Sequence, residues 1–372
     1  MSEYKVMLAA GGTGGHVYPA IAIADALKDS GKKMRINFVG TRERMEWSAV
    51  PRAGYDIHPI WVSGFHRRLT LKNVLFPVKL AVSLMQCYRL LKKHKPDVVV
   101  SCGGFASGPL GWVAGKLSIP LVLQEQNSFP GVTTRKLSLA AQKVFIAFDE
   151  ARKYFPADKT ELCGNPIRKK IITGDRERAL EEFGFSGEAK TLLILGGSGG
   201  ARTINEAVFS NLKNLHDELG LQIIWQCGDF YYDSLQSKMS GSGFKNVRLK
   251  SFLHDMPQAY AASDLVISRA GALSCSELML TGKPSVLVPS PSVAGDHQTK
   301  NAASMVREGA ALLLKDDEAV GSLYPMVKEV ITNEEKLRGM SKAAISLSKP
   351  DAAEVIARHI IKIADQRKGG EA

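Results

Sequence analysis

The chain is 372 residues long, more than one ordinary core holds and suited to two domains of about 150–200 residues each. Hydrophobic residues at 45% and charged residues at 23% mark a globular polypeptide and exclude a disordered or fibrous one. The net charge of +12 is lopsided: residues 1–165 carry 23 Lys and Arg against 12 Asp and Glu, so nearly all the basic excess lies in the N-terminal half.

Ser2-Glu3-Tyr4-Lys5 leads directly into an apolar run, without the charged and hydrophobic regions of a secretion signal. The first predicted strand is Lys5–Ala10. It enters Gly11-Gly12-Thr13-Gly14-Gly15-His16, and a helix is expected from about Pro19 to Asp29. Apolar runs at Ile36–Val39, Val98–Ser101, Leu121–Gln124 and Lys143–Ala147 alternate with helical stretches, the signature of βαβ units on a parallel sheet. Gly and Pro in Cys163-Gly164-Asn165-Pro166 interrupt the periodicity and mark a linker. The pattern then restarts. Thr191–Leu195 enters Gly196-Gly197-Ser198-Gly199-Gly200-Ala201 and a helix from about Thr203. Ile223–Gln226, Val247–Leu249, Leu265–Ile267 and Ser285–Val288 continue as strands, and an amphipathic helix at about Ala352–Asp365 closes the chain. The predicted fold class is α/β: two doubly wound, Rossmann-like domains. Five scattered cysteines (Cys87, Cys102, Cys163, Cys227, Cys275) form no C-x-x-C pair, which favours buried thiols in a cytosolic compartment over disulfides or zinc.

A glycine turn after a strand lets the backbone approach a phosphate, and the helix that follows adds free N–H groups and the positive end of its dipole. Three turns qualify: Gly11–Gly15, Gly103-Gly104-Phe105-Ala106-Ser107-Gly108 and Gly196–Gly200. The dinucleotide fingerprint G-x-G-x-x-G fails in both halves, because its third glycine is replaced by Val17 and by Arg202. The second strand also ends in Val39-Gly40-Thr41 without a ribose-binding acid, so a nicotinamide-dependent oxidoreductase is disfavoured. No G-K-[ST] follows a glycine loop either. Ser268-Arg269-Ala270-Gly271-Ala272-Leu273-Ser274-Cys275-Ser276-Glu277 leads from a strand into a helix. Its start suits a diphosphate, and Glu277, one turn in, is placed to accept both ribose hydroxyls. There is no D-x-D triplet to hold a divalent metal, so the charge of a leaving diphosphate falls to helix dipoles and cations such as Arg168.

Gly11–Pro19, Gln124-Glu125-Gln126-Asn127, Gly164-Asn165-Pro166-Ile167-Arg168, Gly196–Ala201 and Arg269–Glu277 occur in order along nearly the whole chain. Together they resemble the bacterial family of N-acetylglucosaminyltransferases that convert lipid I to lipid II in peptidoglycan synthesis. The resemblance implies the GT-B arrangement of two domains facing across a cleft. The acceptor and membrane-associating domain would be 1–164 with the C-terminal helix 350–372, and 165–349 would bind the UDP-sugar. It implies UDP-N-acetylglucosamine and lipid I as substrates, no cofactor or metal, no nucleic acid, and other cell-wall synthesis proteins as partners. It also implies a peripheral position on the cytoplasmic side of the inner membrane. The donor contacts it implies are Thr13, Gly14, Gly15, Asn127, Arg168, Ser198, Leu253, the run Ala272, Leu273, Ser274, Cys275, Ser276 and Glu277, and Gln298. Gly12, Gly103, Gly104 and Ser107 fall on the acceptor and diphosphate loops. The chain departs from the family at Gly199, where Gln is common, and at Phe105 and Gln124, where Tyr and His are common; side-chain roles there do not carry over.

An inverting transfer needs a base for the attacking hydroxyl. His16, closing the first glycine loop, is the leading candidate, with binding of the acceptor's diphosphate as its competing role; Glu125 is the second candidate base. The stretch Leu71–Leu91 is apolar but interrupted by Pro77, Lys79, Gln86 and Arg89, too polar to span a bilayer. Lys72, Leu75, Phe76 and Lys79 are expected to rest on anionic inner-leaflet lipid, against the alternative of a buried amphipathic helix. An epimerase of the same two-domain class is the other enzyme compatible with these loops.

Overall fold

Apolar strands alternating with helices produce two all-parallel sheets in the computed structural model, which describes residues 3–64, 75–197 and 199–370. The first sheet contains β1 (Tyr4–Ala9), β2 (Met34–Gly40), β3 (Asp56–Pro59), β4 (Val98–Ser101), β5 (Leu121–Glu125), β6 (Lys143–Ile146) and β7 (Thr160–Leu162) in the order β3-β2-β1-β4-β5-β6-β7. The second contains β8 (Thr191–Leu195), β9 (Gln222–Gln226), β10 (Val247–Lys250), β11 (Leu265–Ser268), β12 (Ser285–Leu287) and β13 (Ala311–Leu313) in the order β10-β9-β8-β11-β12-β13. Both are doubly wound sheets, and in each the strand order reverses once, between β1 and β4 and between β8 and β11. Helices cover both faces, so the central strands are buried throughout: every residue of β4, β8 and β11 is inside.

Contacts divide the chain into Met1–Ile167 with Lys349–Ala372, and Arg168–Ser348. In the first unit, one face of the sheet carries the helix Gly14–Lys28 and the C-terminal helix Ala352–Gly370. Ile356, Ala357, Ile360 and Ala364 of the latter are buried beside Val17, Ile21 and Leu8. Tyr4 Oη donates to Asp365 Oδ1 at 2.6 Å, and Lys368 Nζ donates to the Glu3 carbonyl at 2.6 Å. Burying Ile356 and Ile360 fully is worth about 1.5–3 kcal/mol each, which ties the chain's end to its start. The opposite face carries the helices Phe76–His94 and Ser107–Lys116, with Cys87, Leu91, Leu110 and Val113 in its core. The second unit gathers Ile194, Ile204, Trp225, Val286 and Leu323 into its own core.

Two local features differ from the sequence reading. The first helix starts at Gly14 instead of Pro19, because the Thr13 carbonyl accepts from the N–H groups of His16 (3.1 Å) and Val17 (3.2 Å) and so closes the first turn. Pro19 lies inside the helix, where its missing N–H leaves the Gly15 carbonyl without a helical donor. The short strands β3, β7 and β13, which the sequence reading did not predict, all lie at sheet edges.

Candidate functional site

In an open α/β sheet, ligands bind beyond the carboxyl ends of the strands where the strand order reverses. In the first unit that position belongs to the loops leaving β1 and β4, and the two loops touch. A Cβ on Gly104 would lie 2.0 Å from the Gly11 carbonyl oxygen, and one on Gly103 would lie 2.6 Å from His16 Nδ1; both glycines have positive φ, +81° and +90°. Only glycine fits these two positions. Gly12 N–H donates to Glu46 Oε2 at 3.0 Å, while Thr41 N–H (3.0 Å) and Thr41 Oγ1 (2.6 Å) donate to Glu46 Oε1. Glu46, 1% exposed, therefore moulds the glycine loop from beneath. Sequence reading missed it: the acid absent from the end of β2 stands six residues beyond Gly40 and turns inward.

His16 sits in the first turn of the helix Gly14–Lys28, half-buried, with Nδ1 2.8 Å from Gln126 Oε1. Gln126, also missed, is buried, and its Nε2 donates to the carbonyls of Cys102 (2.8 Å) and Gln124 (3.2 Å) and to Gln124 Oε1. Glu125 is buried too. Its Oε1 accepts from Asn127 N–H at 3.1 Å and Asn127 Nδ2 at 3.3 Å, and its Oε2 from Gly131 N–H at 3.3 Å. Burial pushes its carboxyl above the ordinary range, against the Asn127 hydrogen bonds and the nearby His16, which act the other way. Its oxygens thus organise the loop after β5 and engage Asn127. Ser107 is buried with its hydroxyl between the carbonyls of Ala9 (2.9 Å) and Gly103 (2.7 Å), so it braces the loop after β4. Thr13, by contrast, is exposed, and Phe105 is partly exposed beside Gly12.

In the second unit the corresponding position belongs to the loops after β8 and β11. The helix Ala272–Thr281 begins after Gly271 with no acid in its first turn, so the positive end of its dipole faces the loop after β11 unopposed by a carboxylate of its own. Glu277, one turn on, accepts from Tyr260 Oη at 3.0 Å. Burial pushes its carboxyl up to about 7, against the Tyr260 hydrogen bond and the Arg168 charge, which lower it. Gln298 Oε1 accepts from Ser290 N–H at 2.8 Å, shaping the loop after β12. Cys275 and Ser276 have side chains directed inward: burial pushes the Cys275 thiol up to about 12, and Ser276 Oγ donates to the Ala272 carbonyl at 2.9 Å. The Cys275 N–H is engaged as well, donating to the Gly271 carbonyl at 2.9 Å. Ala272 and Leu253 are largely buried, while Leu273 and Ser274 are half-exposed. Two latches were not foreseen. Gln226 Nε2 joins the loops after β8 and β10 through Gly197 O (3.0 Å) and Ser251 O (3.1 Å). Arg269 joins the loops after β11 and β12 through Val288 O (3.0 Å) and pairs with Asp316. Ser198 and Lys72 lie outside the described residues. Among the described residues, no three His, Cys, Asp or Glu side chains converge to hold a metal ion.

The helix Phe76–His94 buries Ser83, Cys87 and Leu91 on one side. On the other, Val78, Ala81, Met85 and Tyr88 form an exposed stripe at helical spacing, with Leu75 exposed at its start and Phe76 partly buried. Lys79 Nζ lies 5.4 Å from the centre of the exposed Trp61 ring. The helix Ser107–Lys116, packed alongside, exposes Trp112 with Lys116 Nζ 5.5 Å from its ring centre. Among the described residues, no helix is long and apolar enough to cross a membrane.

Residues 6–146 match the glycosyltransferase family 28 N-terminal domain, and residues 191–356 match the family's C-terminal domain. The chain is 43% identical over 370 residues to the UDP-N-acetylglucosamine–N-acetylmuramyl-(pentapeptide) pyrophosphoryl-undecaprenol N-acetylglucosamine transferase of Flavobacterium psychrophilum, covering 99% of this chain and 100% of that one. It is 44% identical over 365 residues to the Bacteroides fragilis enzyme of the same name, covering 97% and 96%. Its structure resembles that of Acinetobacter baumannii MurG with a TM-score of 0.78 at 29% identity, over 96% of this chain and 99% of that chain. A UDP-N-acetylglucosamine 2-epimerase from Neisseria meningitidis shares the fold, with a TM-score of 0.70 at 14% identity over 97% and 100% of the two chains.

Proposed function

The chain belongs to glycosyltransferase family 28, and on that premise we infer that it transfers N-acetylglucosamine from UDP-N-acetylglucosamine to the muramoyl 4-hydroxyl of lipid I, giving lipid II. The observation that carries this is near-full-length identity above 40% with transferases named for that reaction. The epimerase shares only the fold. Incubation with labelled UDP-N-acetylglucosamine and lipid I should yield labelled lipid II. Labelled UDP-N-acetylmannosamine formed without an acceptor would identify the epimerase instead.

We assign the donor to the second unit and the acceptor to the first. The positive N-terminal end of the helix Ala272–Thr281 and the guanidinium of Arg168 meet the diphosphate, and ionised Glu277 accepts the ribose hydroxyls. His16 takes the proton of the acceptor hydroxyl as its oxygen bonds to the anomeric carbon; the bond from that carbon to the diphosphate breaks, and UDP leaves with inversion. Glu125, already saturated by Asn127 and Gly131, supports the less direct role of holding a loop. With dipoles and cations meeting the leaving charge, the reaction proceeds without a metal.

The acceptor's lipid tail stays in the bilayer, so the acceptor unit must come to it. The exposed stripe Leu75-Val78-Met85-Tyr88 with Trp112, framed by Lys79, Arg89, Lys92, Lys93 and Lys116, supports peripheral docking on an anionic cytoplasmic leaflet.

A further inference from the structure

The side chain of Gln126 has no assigned role in the transfer, yet its environment determines which nitrogen of His16 carries a proton. A carboxamide can be turned end for end, so its orientation must be argued from groups that cannot turn. Around the Gln126 amide nitrogen stand two backbone carbonyls, Cys102 O at 2.8 Å and Gln124 O at 3.2 Å, and both only accept. The reverse orientation would press the amide oxygen against those two oxygens, leaving a buried acceptor without a donor.

A second chain of contacts gives the same answer independently. Asn165 Nδ2 donates to the Gln126 carbonyl at 3.1 Å, again a fixed acceptor, which turns Asn165 Oδ1 toward Gln124 Nε2 at 3.0 Å. Gln124 Oε1 is then left to accept from Gln126 Nε2. All three carboxamides are buried, and their dipoles run in one direction, from the linker residue Asn165 to His16.

The amide oxygen of Gln126 is thereby the group that meets His16 Nδ1, at 2.8 Å, and an oxygen there requires a hydrogen on Nδ1. We propose that Gln126 is a positioning residue that holds neutral His16 as its Nδ1–H tautomer and leaves Nε2 as the ring's one lone pair. Free histidine favours the opposite tautomer, so the protein reverses an intrinsic preference. Gly103, whose missing Cβ admits the ring at this distance, is part of the same device. The tautomer follows from hydrogen bonding alone; its catalytic consequence rests on the reading of His16 as the base, for which Nε2 is then the proton-accepting atom.

The test is a long-range ¹⁵N–¹H correlation spectrum of the full-length protein labelled in histidine, taken above the imidazole titration, with the His16 signals assigned by their loss in His16→Asn. The expected pattern is a protonated Nδ1 and an unprotonated Nε2; a wild-type ring protonated on Nε2 overturns the proposal. In Gln126→Leu the proton should move to Nε2, and a folded variant that keeps Nδ1–H refutes Gln126 as the cause. If that variant does not fold, the wild-type spectrum still decides. With lipid I as acceptor, kcat of Gln126→Leu should fall by about 10²-fold or more, the lower end of a general base's contribution, with donor KM little changed. A tautomer that switches while kcat holds upholds the role of Gln126 and removes His16 as the base, so the two readings fail separately.

Discussion

Ionised Glu277 is required to accept two ribose hydroxyls, yet burial raises its carboxyl from an ordinary 4.5 to about 7, so the free protein near neutrality holds it half-protonated. Binding of UDP-N-acetylglucosamine must then displace a proton, and the cost rises as pH falls. For a group titrating at about 7, the dissociation constant should increase roughly tenfold between pH 8 and pH 6, or about 1.4 kcal/mol. The donor's diphosphate diester does not titrate in that interval. Glu277→Gln removes the titration and the charge: at pH 8 its affinity should be about 1.5–3 kcal/mol weaker, the range for hydrogen bonds to charged groups, and the slope between pH 6 and 8 should flatten. The unliganded protein should respond in the opposite sense. Its folded state holds the Glu277 proton more tightly than the unfolded chain, so this group's stabilisation is complete below about pH 4.5 and is lost as pH rises through about 7, by roughly 3 kcal/mol. Glu277→Gln should therefore raise the Tm of the free protein at pH 8 while weakening the donor. Calorimetric titration at pH 6, 7 and 8 with both proteins measures the binding arm. A wild-type affinity constant across that range, or the same slope in Glu277→Gln, would refute the assignment of Glu277 to the donor.

Replacing His16 by Ala should reduce kcat by about 10²–10⁴-fold if it is the base; a raised acceptor KM at near-normal kcat would return it to phosphate positioning. Exhaustive chelation with EDTA should leave most of the transfer activity, and loss restored by Mg²⁺ would contradict charge neutralisation by dipoles and Arg168. Glu46→Ala leaves the N–H of buried Thr41 without its partner, at about 1–3 kcal/mol, and removes the partner of the half-buried Gly12 N–H as well, so it should lower Tm and kcat together; an unchanged Tm would show that the glycine loop holds itself. Val78→Glu with Met85→Glu should release the protein from anionic vesicles but spare turnover of a short-chain soluble acceptor, and wild-type binding should weaken as salt rises. Equal loss of both activities would place that helix face in the catalytic unit's interior chemistry instead of at the bilayer.

The doubled βαβ pattern and the glycine turns after β1, β4 and β8 were visible from residues 1–372 alone, because a strand buried on both faces must be an unbroken apolar run and a backbone pressed against another must be glycine. Glu277 was read as a donor contact from its place one turn into a helix that follows a strand and a glycine, against the alternative of an exposed helix carboxylate; in the fold it accepts from Tyr260 Oη. Edge strands β3 and β7 were not visible, since each is short and carries no apolar run to read, and β13 is only three residues of the short run Ala310–Leu314. The early helix start at Gly14 was hidden because two glycines oppose helix locally and only the closed turn on Thr13 overrides them. What folding alone decided is the work of the inward-turned polar side chains. Glu46, Gln126 and Gln226 have the composition of surface residues, and Cys275 and Ser276, read as donor contacts, direct their side chains into the protein. Burial reverses their meaning: once water is excluded, each N–H and carbonyl must find a fixed partner, and those partners come from residues distant in the chain, such as Gly12 for Glu46 and Cys102 for Gln126. No pattern of neighbours along a sequence carries that information, because hydrogen bonding in a closed interior is settled only when the strands have already been brought side by side.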